Sequence, residues 1–415
     1  MMAAKRQSPK KIETDVLIVG GGLVGGTLAV ALDAAGLRST VIERGDPAAL
    51  LDEGFDGRAS AVAHASQRML QVLGLWDHIA PDASPILDIR VSEGGSRLFL
   101  HFDHREANGE PFGHMVENRT IRAAIHKKLP KLPNVRLLAP AQLDTLERGP
   151  DGVSARLVDG RHIHAQLAVA ADGRNSALRR DAGIGVTGWT YRQSAIVCTV
   201  EHERSHGQVA QEHFLPSGPF AILPLTRNRS SIVWTERAEL APAMMDLPDD
   251  EFMAELGSRF GDFLGDLSLV GPRWSYPLSL QFARAATARR LVLVGDALHG
   301  MHPIAGQGLN MGLRDAAVLA EVLFDAKRLG LDPADGAALA NYERRRRFDN
   351  FVMLASTDWL NRLFSNDMRP LKGVRDLGMS LWGRLGPLKR LSMRHAMGTL
   401  GDPPRLLRGQ LLYDE

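Results

Sequence analysis

Four apolar residues, Val16 to Val19, run straight into Gly20-x-Gly22-x-x-Gly25, and an apolar stretch continues to Gly36 before Thr40 to Ile42 and Glu43. The first run reads as a strand, the stretch after the glycines as a helix, and the last run as a second strand. The three glycines permit a tight turn, the approach of a pyrophosphate to the backbone, and close helix packing. Another match, Gly183-x-Gly185-x-x-Gly188, follows a polar, helix-like segment at 177–182 with no strand before it, and reads as a turn.

Glu43 stands where an acidic side chain can bind a ribose hydroxyl, which favours an adenosine without a 2′-phosphate, as in FAD or NAD. Arg44 beside it has two readings, a stack on the adenine and a solvated charge. A second station lies late in the chain. Leu291 to Val294 read as a buried strand bounded by Gly295, with Asp296 at its carboxyl end. Gly306 and Gly308 then precede apolar residues at helical spacing from Leu309 to Leu319. Backbone N–H groups near Leu309 and Asn310 therefore point out of a helix N-terminus, which attracts negative charge. A reduced flavin carries its charge along one ring edge and suits that end; a tight turn before an ordinary helix is the alternative.

Between these stations, residues 59–73 read as a helix with Met69, Leu70, Val72 and Leu73 turned inward and Gly74 closing it. Arg58 just before it is either a phosphate or ring contact or a surface charge. Residues 86–102 read as a hairpin around Gly94-Gly95. Asn118 is expected to cap a helix carrying Ile121, Ala124, Ile125 and Leu129, stopped by Pro130. Arg119 sits in its first turn, where the dipole disfavours a cation, a weak pointer to an anionic ligand. Strands are expected at 136–139, 153–158 and 162–170, the last ending in Asp172-Gly173. Strand-like runs from 193 to 236 suggest a mostly antiparallel sheet inserted into the α/β unit. Residues 250–265 read as helix, 274–282 as extended chain, and the chain after Asp315 as helical.

With 44% hydrophobic residues among 415, the chain supports two or three packed units. A net charge of +2, with no basic stretch interleaved with aromatics, speaks against a nucleic-acid partner. The single cysteine, Cys198, excludes an internal disulfide, fits a reducing, cytoplasmic compartment and reads as a buried thiol. Residues 1–11 read as a basic, disordered tail, and the glycine-interrupted apolar run at 16–32 is not a membrane span. His299-x-x-His302 lacks a third ligand motif, so no metal is expected. Arg344 to Arg347 read as a solvated helix face. Residues 368–400 carry seven Lys or Arg against one acid, interleaved with leucines and a tryptophan. Such a segment suits a membrane surface, a partner protein or dimer packing.

Together, GxGxxG with Glu43, the central Asp172-Gly173, and Gly295-Asp296 with the run from His302 to Asp315 (HPIAGQGLNMGLRD) resemble the group A flavoprotein monooxygenases, and more narrowly the ubiquinone-biosynthesis hydroxylases. GPFAILPL, SSIVWTE and the RLFSND run at 362–367 are similar too. The resemblance implies a p-hydroxybenzoate hydroxylase-like α/β fold with a discontinuous, Rossmann-like FAD-binding domain at 12–83, 105–186 and 283–345. It implies a substrate-binding β-sheet domain at 84–104 and 187–282, and a C-terminal helical region at 346–415. Gly20, Gly22, Gly25 and Glu43 would hold the adenosine diphosphate of FAD, with Arg44 a further cofactor-binding candidate, and Arg58 and Arg119 would lie near the phosphates and ribityl chain. Asp172 and Gly173 match a DG motif tied to FAD and nicotinamide, Asp296 the ribityl-binding aspartate, and Gly308, Leu309 and Asn310 the flavin ring contacts, with Gly306 a further cofactor-binding candidate. Leu298 departs from the small residue common there.

The implied reaction is hydroxylation of a polyprenylated phenol through a flavin C4a-hydroperoxide, with NAD(P)H or another donor visiting transiently. No protein side chain stands out as a catalytic acid or base. Pocket candidates are Phe220, Ile222, Leu223, Pro224, Trp234, His302 and Pro303. The implied protein is peripheral on the inner face of a membrane and associates with other proteins of the pathway. A small aromatic acid as substrate, and a flavin-binding scaffold without catalysis, are the competing readings.

Overall fold

The computed structural model describes residues 11–52, 56–93, 99–300, 306–347, 349–350 and 386–413. β1 (Lys11–Val19) turns through the glycines into α1 (Leu23–Ala34), and β2 (Ser39–Ile42) returns parallel to β1. Next come β3 (Ala59–Ala63), α2 (His64–Val72), β4 (Ser84–Ile86), β5 (Asp88–Glu93), β6 (Phe99–Asp103), β7 (Gly113–Glu117) and α3 (Asn118–Lys128). β8 (Val135–Leu138), β9 (Leu143–Arg148), β10 (Val153–Leu157) and β11 (His162–Ala170) precede α4 (Ala177–Asp181). β12 (Val186–His202), β13 (Val209–Leu215), β14 (Gly218–Pro224) and β15 (Arg229–Arg237) follow, then α5 (Ala241–Asp246), α6 (Asp249–Phe260) and β16 (Leu267–Ala283). The described chain closes with β17 (Thr287–Ala288), β18 (Leu291–Leu293), β19 (His299–Gly300), α7 (Gly308–Arg328), α8 over 336–347 and α9 (Gly386–Ala396).

The protein is α/β. One sheet has the order β17-β18-β11-β1-β2-β8, parallel from β18 to β8, with β10 and β9 added on β11. Strands Val16–Val19 and Leu291–Leu293 are buried on both faces, as expected of a parallel sheet covered by helices. The second sheet has the order β19-β16-β12-β15-β14-β13-β5-β6 and is antiparallel except where β13 meets β5. A small third sheet has the order β3-β7-β4.

Three local expectations change. Residues 59–63 form β3 rather than a helix start, because their backbone pairs with β7 and α2 begins only at His64. Glu117, not Asn118, occupies the cap position of α3; Asn118 accepts a 2.6 Å hydrogen bond from Ser60 and donates to Asp56 at 3.3 Å. The second glycine match is a turn only at Gly183, since Gly188 lies inside β12 against the backbone of β16. Residues 1–10 of the expected tail, 351–385 of the expected C-terminal helices and the 362–367 run lie outside the described residues. Among the described residues no helix is long and apolar enough to cross a membrane.

Candidate functional site

The carboxyl ends of β18, β11, β1 and β2 stand side by side, and a doubly wound sheet binds its ligands at that edge. The glycines explain how the chain turns there. Gly20 has φ +106°, and a Cβ on it would lie 2.2 Å from the Ala171 carbonyl oxygen. A Cβ on Gly25 would lie 2.0 Å from the Gly20 oxygen, so both positions are closed by backbone. Gly22 differs, because a Cβ there would meet nothing within 4 Å. Behind the turn, the Glu43 carboxylate accepts from the Gly21 N–H at 2.8 Å and the Gly45 N–H at 2.7 Å.

The second station closes on the first. A Cβ on Gly312, one turn into α7, would lie 2.4 Å from Val24 of α1, and one on Gly295 would lie 3.2 Å from it. The N-termini of α1 and α7 are therefore neighbours, with exposed Asp296 next to both. Neither helix has a side-chain cap or an acidic residue in its first turn. Two positive helix ends converge on one open edge, which suits an elongated anion.

Asn310 fixes α7 against the small sheet. Its side-chain oxygen accepts from the Ala63 N–H at 2.9 Å, and its amide donates to the Ala61 oxygen at 2.8 Å. Arg58 reaches the same region, held by Asp56 at 2.8 Å and lying over the Tyr276 ring at 5.0 Å. Burial works against the Arg58 charge, but Asp56 and, farther off, Asp296 outweigh it and raise its pKa. Asp56 is itself buried, and against desolvation Arg58 and Asn118 hold its pKa down; Arg122 pairs with it at 3.2 Å. Asp172 accepts from the Ala177 and Leu178 N–H groups at the start of α4, while its other oxygen is buried without a hydrogen bond. Gly173 follows at φ +82°. Arg44 is exposed, and Arg119, Gly306, Gly308 and Leu309 are half-buried. His302 and Pro303 lie outside the described residues.

Beneath the edge runs an ionic network that the sequence did not reveal. Buried Asp315 accepts from His299 at 2.7 Å, the Gly295 N–H at 2.8 Å and Arg346 at 2.6 Å. Desolvation opposes its charge, yet His299 and Arg346 bring its pKa below the usual carboxylate value. Arg346 is thus fully buried while Arg344 and Arg347 are exposed, so the reading of 344–347 as a solvated face fails at Arg346. The network clamps the turn carrying Asp296 to α7.

The inserted sheet offers two faces. Phe220, Ile222 and Trp234 share one with Ile196 and Cys198, closed by Phe252, Leu256 and Phe260 of α6. These three expected pocket residues are core, and Pro224 follows in the same alternating row. Leu223 points the other way and packs with Ala210, Leu225, Ala59 and Ala61 of β3, and Met393 and Met397 near α9. Tyr276, Val233 and Ala195 occupy that second face too.

The family model for the FAD binding domain matches residues 13–351. The ubiquinone hydroxylase UbiL of Rhodospirillum rubrum is 60% identical over 398 residues, covering 95% of this chain and 92% of that protein. The 3-demethoxyubiquinol 3-hydroxylase of Escherichia coli K12 is 37% identical, covering 93% and 98%. Among solved structures, p-nitrophenol 4-monooxygenase PnpA from Pseudomonas putida DLL-E4 shares the fold, with a TM-score of 0.78 and 22% identity over 95% of this chain and 100% of that one.

Proposed function

We propose, from the premise that this chain belongs to the FAD-binding-domain family of flavoprotein hydroxylases, that it hydroxylates the aromatic ring of a polyprenylated phenol in ubiquinone biosynthesis. The observation that carries the reading is the pair of uncapped helix N-termini side by side at the sheet edge, with Asp296 next to both. An FAD fits this donor set: open space in front of Gly22 and Gly308 where a Cβ would meet nothing within 4 Å, and backbone N–H groups for phosphate and for the anionic ring edge.

In this reading Gly20, Gly22 and Gly25 shape the pyrophosphate turn, and Glu43 faces the adenosine ribose. Arg58 and Arg119 balance negative charge, Asp296 accepts from ribityl hydroxyls, and the N–H groups at Gly308 to Asn310 meet the ring. Asp172 and Gly173 support the edge from α4, and Arg44 lies beside the adenosine. Bound FAD, reduced by NAD(P)H as is typical of the class, supplies the chemistry that activates O2 for transfer of one oxygen atom. The protein's share is to hold the ring in place and to keep water out, which geometry and apolar walls accomplish. Segments 12–83, 105–186 and 283–345 form the flavin unit, and 84–104 with 187–282 the substrate unit.

The substrate lies against the Leu223 face of the inserted sheet, which is half-buried and turned toward α7 through Ala61. A cytoplasmic protein resting on the membrane face through 368–400, beside partner enzymes of the pathway, would draw such a substrate from the lipid. Deleting the gene and identifying the quinone precursor that accumulates tests the reading. A prenylated precursor lacking one ring hydroxyl is the expected result, and unchanged ubiquinone would overturn it.

A further inference from the structure

On the face just described, Glu212 is a carboxyl that meets no partner among the described residues. It lies on β13 between Ala210 and Phe214, opposite Ala221 of β14 and Val91 of β5. Strand alternation puts it on the side of Ala210, which packs with Leu223, Ala59 and Ala61. That is the side joined to the N-terminus of α7, since Asn310 bonds the Ala61 oxygen and Gly306 stands against the Ala61 side chain. Among the described residues nothing forms a hydrogen bond or ion pair with it.

A carboxyl in such a wall is costly unless something meets it. Desolvation alone pushes the Glu212 pKa up to about 8. Glu212 is half-buried, so it is not sealed into the core as Phe220 and Trp234 are. The charged groups around this face are otherwise engaged. Arg229 pairs with Glu117 at 3.6 Å, Lys389 with Glu106 at 2.7 Å, and Arg58 with Asp56 at 2.8 Å. Glu93, one step along β5 on the same side, is buried and has its own contact. None of these neutralises Glu212.

We infer that Glu212 is a catalytic residue, the acceptor of the proton from the substrate's ring hydroxyl. The inference rests on the hydroxylase reading above. The O–H bond breaks, its electron pair stays on the ring oxygen, and the proton binds a Glu212 oxygen; the ring carbons ortho and para to that oxygen become more electron-rich. The oxygen atom made available by bound FAD and O2 would bond to one of them as its O–O bond breaks, the electron pair leaving on the other oxygen. That carbon would then lose its hydrogen as a proton to solvent. The Glu212 proton returns to the ring oxygen as aromaticity is restored. A carboxyl raised toward the acidity of a phenol is a better base for it than an ordinary glutamate.

The test uses the FAD-loaded protein with 2-geranylphenol as probe. In the wild type, hydroxylation is expected to rise with pH as Glu212 ionises, and the bound probe to show the ultraviolet band of a phenolate. Glu212→Gln is expected to lose the band and the pH-dependent rise, with turnover down by ~100-fold. Glu212→Ala is expected to recover turnover when acetate is added, an effect that a purely structural defect would not show. A wild-type pH profile and phenolate band retained in Glu212→Gln would overturn the inference and leave the hydroxylase reading standing. A wild type that neither binds nor hydroxylates any prenylated phenol would remove the reading beneath it instead. Loss of folding in Glu212→Gln is read through the alanine variant, where absence of acetate rescue counts against the proposal.

Discussion

The two faces of the inserted sheet are built from alternate residues of the same strands, yet they have opposite fates. On one, Trp234, Phe220 and Cys198 are sealed under α6 with almost no accessible surface. On the other, Leu223, Tyr276 and Glu212 stay half-buried and turn toward β3 and α7. The difference teaches that a strand's period of two sorts residues into faces, while the covering element decides which face is core and which stays half-open.

Substitutions should divide the same way. Trp234→Ala is expected to cost about 3–5 kcal/mol of stability, seen as a lower denaturation midpoint, because it leaves a large void under α6. An unchanged midpoint would mean that this face is not closed. Leu223→Ala is expected to cost only about 1–2 kcal/mol. Its main effect should be a raised KM for a prenylated phenol, and a KM equal to wild type would remove Leu223 from the substrate wall.

Glu212→Gln should act on stability in a pH-dependent way. The unfolded carboxyl ionises near ~4.3, whereas burial holds the folded one up to about 8. Between these values the folded state keeps a proton that the unfolded chain has released, so the wild type loses stability as pH rises. The variant's Tm advantage should therefore grow from pH ~5 to ~8 and then level off. Parallel Tm curves would show that the carboxyl is not desolvated. The smallest effect concerns Cys198, whose thiol burial pushes up to about 12. Native protein should resist a thiol reagent at pH ~8 and react once when denatured; ready labelling of the native form would place Cys198 on the open face.

Much of the open sheet edge was legible in sequence because its signals are local. Three glycines, Glu43 and the run around Gly295 each announce a turn at a strand end. The misread parts depend on distant partners. Ala59 to Ala63 carry no strong strand preference and become β3 through β7 and through Asn310, which lies 247 positions beyond Ala63. Arg346 looks like one more cation in a run of four until Asp315 is placed against it. Phe220 and Trp234 read as pocket through the family resemblance of their strands, which does not show which side chains point in, and only α6 shows that they are core. Glu212 had one signal, a lone acid at an inward position between Ala210 and Phe214.

The central claim is that the open edge between α1 and α7 is the seat of FAD, and Gly22, in the turn between β1 and α1, faces space that the protein does not fill. Gly22→Val places a side chain where the protein itself has nothing within 4 Å. Purified with excess FAD, this variant is expected to match the wild-type circular dichroism and to emerge without bound flavin. A folded variant that is fully yellow, with one FAD per chain, would contradict the account.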